Sequence, residues 1–90
     1  MPQKAVILAK EDASSLDILG WLLLLDDRHE EAERMLVRAL ELDPQNASAH
    51  VHLAMLYLQK KDRSLAYDHL TQARDLGNEE AKVLLNQQFP

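Results

Sequence analysis

The chain has no cysteine among its 90 residues. That excludes disulfides, thiolate zinc sites and cysteine nucleophiles. Glycine occurs twice and proline three times, and aromatic residues make up only 4%. Leu, Ala, Glu, Gln and Arg dominate instead. These residues favour helix, so the expectation is an all-α chain. Positive charge is not in excess: the net charge is −5. An acidic domain binds phosphate poorly, which speaks against nucleic acid and anionic membranes as partners. The apolar run Ile18–Leu25 falls far short of the roughly 20 residues that span a bilayer, so no membrane insertion is expected. Met1 is followed by no basic stretch leading into a signal-like apolar run. The expectation is a soluble, cytoplasmic chain.

Catalytic signatures are missing too. Ser14, Ser15, Ser48 and Ser64 lie in no G-x-S-x-G setting and read as helix-start residues. There is no glycine-rich phosphate loop. His50 and His52 stand two apart, so on a helix they face different ways and do not share a metal as an i,i+4 pair would. His29 and His69 have no His or Cys companion at ligand spacing. Glu30, Glu31 and Glu33 read as a solvated face. Asn46-Ala47-Ser48 matches a glycosylation sequon, but Asn46 reads as a helix cap. No enzyme, metal or cofactor is expected.

What is present is helix. With 47% hydrophobic and 28% charged residues, the chain reads as one small globular domain. A short helix is expected over Pro2–Ala9, broken at Lys10-Glu11-Asp12. Asp12 then caps a helix from Ala13 to Leu25. From Ile18 to Leu25 that helix has no polar face, so it must be covered on more than one side. Asp27 reads as the cap of His29–Leu42, where Ala32, Leu36, Ala39 and Leu40 recur at helical spacing and Glu30 and Arg34 sit at i,i+4 on the wet face. Pro44 stops it. Asn46 caps Ala47–Gln59, Asp62 caps Arg63–Leu76, and Gly77 suits the residue after that helix. Asn78 caps a last helix from Glu79 to Gln87.

The chain repeats with an offset of 34 residues. Leu19 falls on Leu53, Gly20 on Ala54, Ala32 on Ala66, Leu36 on Leu70, Ala39 on Ala73 and Leu42 on Leu76. Backward, Ala5 falls on Ala39 and Leu8 on Leu42; forward, Ala81 falls on Ala47. This divides the domain into 1–12 (the end of a preceding repeat), 13–46, 47–80, and 81–90 (the rest of a capping helix). Small residues match small ones, and large match large.

The pattern resembles the tetratricopeptide repeat (TPR) family, whose signature is W-x2-L-G-x2-Y, then A-x3-F, then P. Leu16, Leu19, Gly20, Leu23, Ala32, Leu36 and Pro44 fill it once; His50, Leu53, Ala54, Tyr57, Ala66 and Leu70 fill it again. Leu16 and His50 depart from Trp, and Asn78 stands where the second Pro belongs. The resemblance implies a right-handed α-solenoid of antiparallel helix hairpins with a C-terminal capping helix built on Ala81, Leu84 and Leu85. It also implies a scaffold that holds a protein or peptide segment in the groove lined by the first helix of each hairpin. By register the groove residues are Asp17, Ile18, Trp21, Leu24 and Leu25, then Val51, His52, Met55 and Leu58. Asp17 and His52 would set polarity at the rim, with His52 making binding sensitive to pH near 6.5. The carboxylate clamp by which some members hold chaperone tails is absent, because its positions carry Asp17, Trp21, Ser48, Val51 and His52. The alternative is a homo-oligomerisation module whose groove is covered by another copy.

Overall fold

Most helices here begin where a short polar side chain accepts from the amide of the third helical residue, one of the free amides of the first turn. The computed structural model describes residues 11–90. The helix expected over Pro2–Ala9 lies outside the described residues. Helix α1 spans Ala13–Leu25, and Asp12 caps it by accepting from the Ser15 amide at 2.8 Å and the Ser15 hydroxyl at 2.9 Å. Those bonds, the amide first, hold the Asp12 carboxyl below its ordinary pKa. Helix α2 spans His29–Leu42. Helix α3, Ala47–Gln59, starts at Asn46, which accepts from the Ala49 amide at 3.0 Å. Helix α4, Arg63–Asp75, is capped by Asp62 on the Leu65 amide at 3.2 Å, and α5, Glu79–Gln88, by Asn78 on the Ala81 amide at 2.9 Å. Two ends move by one residue from expectation: Leu76 is the cap of α4, and α5 continues to Gln88.

Asp27 is a correction. It does not cap α2; the cap position is Arg28, with no side-chain bond. The reason lies in how α1 ends. The Arg28 amide bonds back to the Leu23 carbonyl and the Asp27 amide to Leu24, a Schellman turn that leaves Asp27 left-handed at φ 61°. The same turn recurs one period later, with Lys61 at φ 66° and the Asp62 amide on the Tyr57 carbonyl. There Asp62 falls on the cap position and supplies the acceptor that Arg28 lacks. Gly77, at φ 93°, makes the third such turn, where a β-carbon would be strained.

The helices form an array. α1 packs on α2, α2 on α3, α3 on α4 and α4 on α5, and α1 also meets α3. The seam within each hairpin is built from small residues around one leucine. Ala32, Leu36 and Ala39 on α2, and Ala66, Leu70 and Ala73 on α4, are all fully buried. Gly20 lets α1 reach α2: a β-carbon there would lie 2.6 Å from Leu36 Cγ, 2.7 Å from its Cδ2 and 3.3 Å from the Ala32 carbonyl. Ala54 holds the equivalent place on α3 and is fully buried. Ala81 and Leu85 of α5 are buried and Leu84 is half-buried, so α5 closes the exposed side of the second hairpin. Counted from the caps, Ala81 occupies the place of Ala49 and not of Ala47, because the turn before α5 is shorter than the Asp43–Asn46 loop.

A polar chain crosses the second hairpin. The His50 Nε2–H donates to the Pro44 carbonyl at 2.9 Å, and His50 Nδ1 faces His69 Nδ1 at 2.9 Å. A single proton serves that last contact. Tyr57 lies over His69 with ring centres 5.7 Å apart and donates to Glu33 of α2 at 2.7 Å. Burial, then the Glu33 carboxylate, raises the Tyr57 pKa. Burial, then the neighbouring His50, lowers that of His69, against a weaker opposing pull from Asp68. Thus His69, judged companionless from spacing, has His50 as its partner.

Two outcomes follow. Gly20→Ala should lower the urea midpoint, because overpacking against buried Leu36 costs about 1–3 kcal/mol while alanine returns about 1 kcal/mol of helix propensity. A midpoint at or above the parent's would show that the seam yields freely. His69 binds its proton less readily folded than unfolded. Its contribution is therefore complete above the ordinary histidine pKa of about 6.5 and is lost as pH falls through that value toward the lower folded one. Melting temperature should fall between pH ~7.5 and ~5.5 more steeply for the parent than for His69→Gln. Equal slopes would remove His69 as the source.

Candidate protein-binding groove

α1 and α3 are the first helices of the two hairpins, and they meet through one polar and aromatic contact. The His52 Nδ1–H donates to Asp17 Oδ1 at 2.6 Å. Trp21, one turn beyond Asp17, stacks on the same imidazole with ring centres 4.4 Å apart and planes 17° apart. Residues four apart share a helix face, so both side chains reach one partner. Asp17 is only 5% exposed. It has a partner for its charge, as a buried carboxylate requires.

The expected groove residues divide into three groups. Asp17, Leu24 and Val51 are buried, at 5%, 2% and 1% exposed. Being covered, they offer a partner almost no surface, which corrects the expectation that these three line a groove. Trp21, His52, Met55 and Leu58 are half-buried. Ile18 and Leu25 are exposed. Asp17 and His52 are not rim residues: their bond ties α1 to α3. The physical reason is angular. At about 100° per residue, Leu24 lies only ~60° from Trp21 around α1, so the register does not separate the groove side from the flank that packs on the next hairpin.

Sequence reasoning also missed the His50–His69 pair and the Tyr57–Glu33 bond, which join residues 19 and 24 apart. No short-range spacing signals them; the first forms when α3 and α4 pair within the second hairpin, the other only when the two hairpins stack. Asp17→Ala should cost about 1–3 kcal/mol by leaving the His52 donor unpaired. It should also change the emission of Trp21, the chain's single tryptophan. Unchanged stability and emission would show that the bond holds nothing in place.

Comparison with curated proteins and with solved structures gives no match. Residues 23–87 match the sequence model of the tetratricopeptide repeat. Domains of this family are in general non-catalytic scaffolds for protein–protein contact. Among the described residues no group of three or more His, Asp or Glu side chains is placed to hold a metal ion. The match runs from the last turn of α1 into the last turn of α5 and takes in all of α2, α3 and α4; the chain belongs to the tetratricopeptide repeat family.

Proposed function

We propose that this chain binds an apolar or amphipathic segment of another protein along the groove beside Trp21. One observation carries the reading. Ile18 and Leu25 are 59% and 61% exposed and flank half-buried Trp21 at i, i+3 and i+7 on one helix. Large apolar side chains left contiguous on a folded surface mark interaction sites more often than chance. Met55 stands at the register of Trp21 one repeat on, with Leu58 a turn away, and both are half-buried. Trp21 provides a rigid anchor held against His52, and Met55 an adaptable one. Exposed Ser14, Ser48 and Gln59 edge the strip with polar groups. An amphipathic helix laid in the groove would place its apolar stripe on these side chains.

The test compares Trp21→Ala with the wet-face change Glu30→Ala in capture of partners, with folding checked by circular dichroism. Trp21→Ala should weaken capture by about 2 kcal/mol or more, as central aromatic anchors do, and Glu30→Ala should not. Equal capture by both variants removes the groove. Conversion of a dimer to a monomer by Trp21→Ala would instead make the occupant a second copy of the chain.

A further inference from the structure

The two hairpins share a seam but not what lies beside it. One period before His50 and His69 stand Leu16 and Met35. Leu16 is buried and Met35 packs on the core, so the first hairpin fills these places with apolar side chains. The second fills them with two imidazoles whose ring centres are 5.1 Å apart, and His50 is only 5% exposed.

Hydrogen bonding fixes where the protons sit. A carbonyl only accepts, so the His50 Nε2 that meets Pro44 at 2.9 Å carries a hydrogen. Neutral His50 then has a bare Nδ1, and the hydrogen in the 2.9 Å contact belongs to His69 Nδ1. His69 Nε2 is left bare. It is open to solvent, since among the described residues no buried side-chain polar atom lacks a partner. One added proton there leaves every bond in place. Two added protons set N–H against N–H at 2.9 Å, with both rings charged. The contact therefore excludes the doubly charged pair, which two separated histidines in water become below about pH 6.5.

We propose that this contact is an acid-released latch: α4, with α5, separates from α3 by taking up protons at both histidines, while α1, α2 and α3 stay together. α4 packs chiefly on α3 and α5, so its departure leaves the first hairpin whole. α5 goes with it, because Phe89 is held by Tyr67 and Arg63 of α4. The Asp17–His52 and Tyr57–Glu33 bonds lie within α1, α2 and α3 and survive the opening. The charges around the pair do little to hold protons on it in the closed form. Burial, then His50, makes His69 bind a proton less readily, and Asp68 beside it on α4 pulls the other way more weakly. From α1, Asp17 is taken by His52; from α2, Glu33 is taken by the Tyr57 hydroxyl and Lys60. Asp43, in the loop that presents the Pro44 carbonyl, is exposed and accepts from the Gln45 amide. On α5, Glu79, Glu80 and Lys82 are exposed, and Lys82 pairs with Glu79.

Amide hydrogen exchange on the 90-residue chain reads the opening. Each histidine that gains its proton only on opening lowers protection about tenfold between pH ~7.5 and ~5.5, once the intrinsic rate is divided out. Leu70 and Ala73 of α4 should therefore lose about 10- to 100-fold, a factor of about ten for each proton taken up. At pH ~5.5 they should be less protected than Leu36 and Ala39 of α2. In the double variant His50→Gln/His69→Gln the loss should be smaller by at least ~tenfold. An equal loss in that variant overturns the proposal. So does equal protection of the two seams at pH ~5.5, since the whole array would then be opening at once. Ring-nitrogen chemical shifts of the parent supply a check that needs no variant. At pH ~7.5 His50 should carry its hydrogen on Nε2 and His69 on Nδ1. Hydrogens on Nε2 of both rings would overturn the latch.

Discussion

The array depends on how closely two helices approach at a seam of small residues. Leu36 is fully buried because Gly20 gives it room and because Ala32 and Ala39 flank it without bulk. The same arrangement around Leu70 uses Ala66, Ala73 and Ala54. Each seam makes a hairpin, but a hairpin alone leaves apolar residues uncovered. Leu53 and Leu56 of α3, which stands against both α2 and α4, are buried, whereas Leu19 and Leu22 one period earlier on α1 are 45% and 56% exposed. Stability is therefore shared between the seam within each pair and the contact with its neighbour, as in other stacked-repeat proteins.

Polar contacts then set how the hairpins sit on one another. Asp17 with His52, and Glu33 with Tyr57 and Lys60, each cross from the first hairpin to the second. Apolar stacking is tolerant of small rotations, whereas a bond of 2.6 Å between two largely buried groups is not. No buried side-chain polar atom among the described residues lacks a partner. Because Trp21 leans on the imidazole that Asp17 holds, the orientation of this half-buried ring is tied to the angle between hairpins.

Four caps were legible because Asp12, Asn46, Asp62 and Asn78 are short acceptors standing directly before an apolar period. Asp27 has the same chemistry and failed, since its position is fixed by how the preceding helix ends rather than by how the next begins. The repeat was legible because small and large residues recur at one spacing. The division between groove and flank was not: Leu24 and Val51 belong to the same stripe as Trp21 and Met55, and only the neighbouring helix decides which is covered. The histidine pair was illegible for a related reason, as its members lie on different helices.

The first and last described helices differ in the faces they leave exposed. α5 turns Glu79, Glu80, Lys82, Asn86 and Gln87 to solvent, with Val83 among them. Its tail is tied down as Phe89 meets Tyr67 edge-on at 5.2 Å and Arg63 lies 4.5 Å above the Phe89 ring. Little there invites another helix. α1 leaves Ile18, Leu19, Leu22 and Leu25 exposed. Burial of apolar area drives association, at about 25 cal/mol per Å². One helix serves the seam with α2 and the joint with α3 and still exposes Ile18, Leu19, Leu22 and Leu25, in a stretch from Ile18 to Leu25 with no polar residue in it.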